Sequence, residues 1–159
     1  MSSIRNTPVI HRDKQIGFLQ NVVLDDEQKR VQAFIVARGL KGKCLVPSEA
    51  VTVISGEFMI ADFLEKYDRR YEKRGSFFAI DTDGLMIGKV SDYAIDEEAL
   101  RICAIEVMRG YLPSERRDRI WFYSYSMGES KTREIIVPTF IQLSQCEWKE
   151  GEEACGSQP

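Results

Sequence analysis

The sequence contains an internal repeat, and this feature constrains the fold more than any other. Residues Ile16–Asp25 align without gaps on Ile87–Asp96, and the Ile-Gly pair and the final Asp are identical in both segments. At the same offset, the apolar run Val31–Val36 falls on Ile102–Val107. A repeat of this kind predicts two tandem copies of one small folding unit.

The two copies extend over Val9–Ile60 and Ile80–Phe140, and the offset between them changes along the chain. Leu45–Pro47 resembles Ile136–Pro138, and these two segments are separated by more residues than the upstream strands of the two copies are. This alignment predicts an insertion of about 20 residues between two strands of the second copy.

Each copy has the pattern of short strands. Its β-branched runs are separated by turns rich in Asp, Glu, Gly and Lys, which is typical of small β-units. Glycine inside a strand marks a bulge, a bend or a close backbone approach, and proline lies at a strand end or edge. The repeated structural positions are therefore Gly17, Asp25, Pro47, Gly88, Asp96 and Pro138.

The segment between the copies has a different pattern. Aromatic and apolar side chains recur at helical spacing in Asp62–Arg74, with basic residues at its end. Asp62 and Glu65 resemble a capping box, and Gly75 is a suitable terminator. The pattern predicts a short helical linker over residues 62–75.

The predicted insertion, residues 110–131, carries a cluster of aromatic and basic side chains. With a period of two, Trp121, Tyr123 and Tyr125 share one face of a strand. Such a face either packs between the copies or binds a partner, because Trp, Tyr and Arg are enriched at interface hot spots. Stacking of RNA bases is a further alternative. The candidate partner surface comprises Arg116, Arg117, Arg119, Trp121, Tyr123 and Tyr125.

The sequence offers no arrangement typical of catalysis, of a cofactor site or of a metal site. The acidic turns at 25–27 and 96–98 lack the spaced oxygens of a calcium loop and fit solvated turns. His11 is the single histidine and has no nucleophile motif beside it. Of the four cysteines, Cys44 and Cys103 fall in predicted strands, while Cys146 and Cys155 lack zinc-site or redox spacing.

Composition narrows the range of partners and compartments. The net charge of −3 provides no global positive field for DNA or an anionic membrane, although local basic patches remain open. No stretch reaches the length and apolar character of a membrane span, and the first residues lack the apolar core of a secretion signal. We therefore expect a cytoplasmic protein that does not insert into membranes.

The ordered set of motifs resembles the PRC-barrel family. Its carriers are Asp13, Ile16-Gly17, Leu24-Asp25, Val31–Val36 and Val46-Pro47 in the first copy. In the second copy they are Asp83-Gly84, Ile87-Gly88, Val90, Asp92, Asp96, Ile102–Val107 and Val137-Pro138. The resemblance implies a small closed β-barrel per copy, used for interaction, as in the reaction-centre H subunit and the C-terminal domain of the ribosome-maturation factor RimM.

These observations predict a mainly β protein of two tandem PRC-type barrels. The predicted units are residues 1–61, the linker 62–75, residues 76–146 and a flexible tail 147–159. We expect a non-enzymatic adaptor without cofactors, whose partner is a protein or a membrane-associated or ribosomal complex. The alternative is a RimM-like factor that binds the small ribosomal subunit. The two copies could pack as an intramolecular pseudo-dimer, and the oligomeric state stays open.

Overall fold

The computed structural model describes residues 2–25, 30–74, 77–109, 118–128 and 132–138. As predicted, the protein is mainly β and is built from two curled, barrel-like sheets. Among the described residues, the end strands of each sheet do not pair with one another. Each unit is therefore a half-barrel, and the closed barrel implied by the family resemblance is not formed by these strands.

The first sheet has seven strands in the order β6-β7-β2-β3-β4-β5-β8. The β-branched runs of the first copy form its long central strands, because branched and aromatic side chains pack well on a pleated surface. Its strands are β2 Pro8–His11, β3 Lys14–Leu24, β4 Val31–Ala37, β5 Lys43–Pro47, β6 Val51–Ile54, β7 Met59–Ala61 and β8 Glu65–Lys66. Two short 3-10 turns cover Gly39–Lys41 and Ser48–Ala50.

The second sheet repeats this order as β13-β14-β9-β10-β11-β12, and β1 pairs with β10 as a seventh strand. Its parallel pair, β9 with β14, matches the parallel pair β2 with β7 of the first sheet. Its strands are β1 Ser2–Ser3, β9 Phe78–Asp81, β10 Met86–Asp96, β11 Arg101–Met108, β12 Arg119–Phe122, β13 Ser126–Met127 and β14 Glu134–Val137.

Strand pairing corrects the alignment of the two copies downstream of the central strands. Ile35 pairs with Leu45, and its counterpart Glu106 pairs with Trp121, so β12 corresponds to β5. Ile136 and Val137 lie instead on β14, which corresponds to β7, and Pro138 follows this strand. The predicted equivalence of the two Val-Pro segments is therefore wrong. The connection between β11, which ends at Met108, and β12, which begins at Arg119, is longer than the connection between β4, which ends at Ala37, and β5, which begins at Lys43.

The repeated glycines have the role that the sequence predicts. A Cβ on Gly17 would lie 2.1 Å from the Ala37 carbonyl oxygen, and one on Gly88 would lie 2.2 Å from the Met108 carbonyl oxygen. The strand register also shifts beside each glycine. Each glycine therefore allows a close backbone approach at the bend of the long central strand.

The linker is helical over a shorter range than predicted. Helix α1 covers Arg69–Arg74, whereas Glu65–Lys66 forms β8, so the predicted capping box at Asp62 is wrong. Asp68 caps the helix instead, because its carboxylate accepts a hydrogen bond from the Arg70 N–H at 2.9 Å. The predicted terminator, Gly75, lies outside the described residues.

The first residues of the chain connect the two sheets. Ser2 and Ser3 pair with Ile95 and Ala94 of β10, and the Ile4 N–H donates to the Tyr93 carbonyl at 3.1 Å. The chain then reaches the first sheet, where the Leu19 N–H donates to the Thr7 carbonyl at 2.9 Å. This N-terminal segment therefore contributes backbone pairing to both copies.

The tips of the central hairpins also meet. Arg30 and Arg101, which occupy the same position of the repeat, form an antiparallel bridge, and the Val31 N–H donates to the Leu100 carbonyl at 2.9 Å. One hydrophobic cluster includes buried side chains of both sheets, among them Leu19, Phe34, Ile105 and Phe122. The two half-barrels therefore share a core.

No helix in the described part of the chain is long and apolar enough to cross a bilayer.

Candidate functional site

The candidate partner surface is only partly brought together. Arg119 and Trp121 lie on β12, and Tyr123 follows the strand with 67% of its surface exposed. Arg119 is exposed and Trp121 is half-buried. Arg116 and Arg117 lie outside the described residues.

Tyr125 does not share the exposed face with Trp121, although a period of two predicts this. Strand β12 ends at Phe122, and the Tyr125 ring packs against the shared core. Its hydroxyl donates a hydrogen bond to the Ile102 carbonyl at 2.9 Å, and burial raises the pKa of Tyr125 to about 12. Tyr125 therefore supports the module, and among the described residues the accessible part of the surface is formed by Arg119, Trp121 and Tyr123.

Strand β12 lies at the edge of the second sheet. Within the described residues it pairs with β11 alone. Its counterpart in the first copy, β5, is covered on the far side by β8, where Cys44 pairs with Lys66 and Leu45 with Glu65. An edge strand presents N–H and C=O groups that another extended segment can pair with. Within the described residues, the two copies therefore differ in the pairing of this edge.

The outer faces of the two sheets also differ in polarity. In the first sheet this face carries a small apolar cluster formed by Val23, Ala33, Ile35 and Leu45, with Tyr67 and Tyr71 of the linker packed on it. In the second sheet Glu106 replaces Ile35, and Trp121 replaces Leu45. The face around Trp121 is therefore mixed apolar and polar, as is common at protein interfaces.

Glu106 links the candidate surface to the sheet. It is 7% exposed and accepts a hydrogen bond from the Ser91 hydroxyl at 2.6 Å. The Arg119 guanidinium lies 3.8 Å from the same carboxylate. Because Glu106 is buried and already hydrogen-bonded, it positions Arg119 at the strand edge.

Asp92 lies opposite Glu106 on β10 and holds the N-terminal segment. Its carboxylate accepts hydrogen bonds from the Ser3 hydroxyl, from the Arg5 N–H at 3.1 Å and from the Tyr93 N–H at 2.8 Å. Burial raises the pKa of Asp92, although these hydrogen bonds oppose the shift. This carboxylate therefore fastens β1 to β10.

Sequence reasoning did not identify either buried carboxylate as a site residue. The sequence does mark Glu106 as unusual, because it interrupts the apolar run Ile102–Val107 at the position where the first copy has Ile35. A charged side chain at a predicted core position usually has a specific partner. Its partners could not be identified, since they lie on strands whose pairing the sequence does not state.

The aspartates and prolines among the repeated structural positions lie at turns and strand ends. Asp96 caps its turn by accepting hydrogen bonds from the Glu98 and Ala99 N–H groups at 2.9 and 3.0 Å, and these lower its pKa. Asp25 accepts from the Arg30 N–H at 3.3 Å. Pro47 is the last residue of β5, and Pro138 follows β14.

The other polar candidates are separate from this surface. The His11 Nδ1 lies 2.9 Å from the Ala61 carbonyl oxygen, which holds the ring in place at the end of β2. Burial raises the pKa of the Cys44 and Cys103 thiols, so both are held in the neutral form. Cys146 and Cys155 lie outside the described residues. Among the residues that the structure describes, no group of three His, Cys, Asp or Glu side chains could hold a metal ion.

Comparison with known families identifies the part of the chain that forms the first sheet. Residues 1–66 match the family model of the PRC-barrel domain. The match ends at β8, the strand that completes the first sheet. The second sheet repeats the strand order of the first. No curated protein matches the chain.

Proposed function

We propose that this chain, whose residues 1–66 match the PRC-barrel domain and whose second sheet repeats the strand order of the first, is a non-enzymatic cytoplasmic adaptor that binds an extended segment of a partner protein at β12. The edge of β12, which has no paired strand on its far side among the described residues, carries this proposal. Its counterpart β5 is paired with β8, whereas β12 pairs with β11 alone within the described residues. Addition of a strand to such an edge is a common mode of peptide recognition.

The side chains beside this edge suit a recognition role. Trp121 is half-buried and Tyr123 is largely exposed, so both aromatic rings offer apolar area at small entropic cost. The Arg119 guanidinium is exposed and remains 3.8 Å from Glu106. Backbone pairing would supply affinity, and these three side chains would supply specificity.

Affinity purification with variants of this edge tests the proposal. We expect Trp121→Ala and Tyr123→Ala each to weaken capture of the partner about tenfold or more, since interface aromatic residues often contribute more than ~1 kcal/mol. Arg119→Ala should act in the same direction. Phe18→Ala is the matched control, because Phe18 is a 46% exposed aromatic side chain on the first sheet.

If all three edge variants captured the same proteins as the wild type, the proposed site would be wrong. Co-sedimentation with small ribosomal subunits that weakens with salt and is lost in the edge variants would identify the partner as ribosomal. Capture of a different complex by the wild type would identify another partner class.

A further inference from the structure

A basic cavity of about 670 Å³ lies on the first sheet, away from the β12 edge. It is formed where the turn between β2 and β3 faces the turn between β4 and β5. Its lining includes Arg12, Lys14, Arg38 and Lys41, together with His11 and Leu40. Among the described residues, no acidic side chain lines it. This concentration of positive charge contrasts with the net charge of −3 of the whole chain.

Both turns have defined backbone conformations. Arg12 and Asp13 have φ values of 50° and 62°, as in the tight primed turns of β-hairpins. In the second turn the Arg38 N–H donates to the Gly42 carbonyl at 2.8 Å, and the Gly42 N–H donates to the Gly39 carbonyl at 3.0 Å. The backbone positions of the cationic residues are therefore fixed before any ligand binds, which lowers the entropic cost of binding.

The cationic groups have no acidic partners in the described part of the chain. None of the four pairs with a carboxylate there, and the Nε of Arg38 is buried without a hydrogen-bond partner. His11 uses Nδ1 for the Ala61 carbonyl, which leaves Nε2 as its remaining polar atom. Clustered like charges repel one another, and a bound anion would relieve this repulsion.

The second copy shows that the fold does not require these cations. Strand pairing places Asp81, Thr82, Leu85 and Met86 at the positions of His11, Arg12, Lys14 and Gln15. Leu85 and Met86 are exposed apolar residues, and Asp81 is buried and satisfied by the Asp83 and Leu85 N–H groups. The same hairpin therefore forms without a basic surface, so the charges of the first copy need another explanation.

We propose that this cavity binds a ligand that carries several phosphate groups. Arginine and lysine are the residues that recognise phosphate oxygens most often, and several cations in a fixed arrangement favour a multiply charged anion. The cavity volume lies in the range of small-molecule sites. This site is independent of the adaptor function proposed for β12.

Two sources could present such phosphates, a soluble compound or a lipid headgroup. Leu40 lies at the rim of the cavity with its side chain fully exposed, beside Lys41. An apolar side chain next to cations is suited to the boundary of an anionic membrane. The two sources are distinguished by their dependence on Leu40, since a soluble compound does not need it.

Titration calorimetry of the full chain with inositol trisphosphate tests the soluble source. Sedimentation with phosphatidylcholine vesicles, with and without a phosphatidylinositol phosphate, tests the lipid source. We expect Arg12→Gln combined with Lys41→Gln to weaken binding about tenfold or more, because hydrogen bonds to charged groups are the strong ones. Lys89→Gln is the matched control, since Lys89 is exposed on the second sheet.

The possible results distinguish a soluble ligand from a lipid ligand. Binding of inositol trisphosphate that weakens in the double variant and not in Lys89→Gln supports the site with a soluble ligand. Vesicle binding that requires the phosphorylated lipid and weakens in both the double variant and Leu40→Ser supports the site with a lipid ligand. Absence of binding to both probes, or equal weakening by Lys89→Gln, would overturn the proposal. Partner capture at β12 is unaffected by any of these results.

Discussion

At the scale of single residues, one glycine defines the bend of each half-barrel, Gly17 in the first and Gly88 in the second. The space for a Cβ at Gly17 and Gly88 is occupied by a backbone oxygen at 2.1 and 2.2 Å, and a backbone oxygen cannot move as a flexible side chain can. We expect Gly17→Ala and Gly88→Ala each to lower the free energy of unfolding by about 1–3 kcal/mol or more, as overpacking does. Urea denaturation followed by circular dichroism measures this change.

The exposed residue Gln20 provides a control on the same strand as Gly17. Gln20→Ala should change the free energy of unfolding by less than ~0.5 kcal/mol, as is usual for surface positions. Equal stability of Gly17→Ala and Gln20→Ala would show that the close approach to Ala37 is not required.

Burial of Asp92 disfavours the ionised form of its carboxyl group. Burial raises its pKa above that of an aspartate in the unfolded chain, so the folded protein binds this proton more tightly. Its contribution to stability is therefore greatest below the unfolded pKa and falls as pH rises through the folded pKa. The first copy has the neutral Asn21 at this position, and its side-chain oxygen accepts from the Val22 N–H at 2.8 Å.

We expect Asp92→Asn to be more stable relative to the wild type at pH 7 than at pH 4. The amide oxygen can accept the Arg5 and Tyr93 N–H groups, and the amide does not ionise. Free energies of unfolding measured across this pH range test the difference. Asp83→Asn, at an exposed position, should show no such trend. A constant difference between Asp92→Asn and the wild type would contradict the argument.

At the scale of elements, the sequence predicts the strands well and their partners poorly. Strand β4, Val31–Ala37, contains the apolar run Val31–Val36 that marks the repeat, because β-branched runs between turn residues are a local signal. The helix is shorter than predicted. Tyr67 and Tyr71 have helical spacing, but the helix begins at Arg69, so Tyr67 precedes it and only Tyr71 lies in it. Both rings pack on the outer face of the first sheet, which the sequence does not place beside them.

The candidate surface shows the same limit. Alignment of the Val-Pro segments suggested that the aromatic strand is unique to the second copy, whereas pairing shows that β12 is the counterpart of β5. The alignment failed because the Val-Pro likeness rests on few residues, and because the connection between β11 and β12 is longer than the one between β4 and β5. The difference between β5 and β12 depends on β8, a short strand from the linker. Such a non-local contact leaves no local pattern in the sequence.

At the scale of the whole molecule, the two half-barrels are joined by three kinds of contact. Buried side chains from both sheets form one cluster, the hairpin tips meet at Arg30 and Arg101, and the N-terminal segment pairs with both sheets. Neither unit can therefore lose its structure without exposing apolar surface of the other. We expect the two copies to unfold in one cooperative transition.

A core substitution in the first copy tests this cooperativity in the second. Leu19→Ala should lower the free energy of unfolding by about 2–5 kcal/mol, because Leu19 is 1% exposed in the shared cluster. In a Trp148→Phe background, the fluorescence of Trp121 reports on the second copy alone, since these are the two tryptophans. The Trp121 transition should shift to lower urea by the same amount as circular dichroism. An unchanged Trp121 midpoint in Leu19→Ala would mean that the second half-barrel unfolds independently and that the shared core does not couple them.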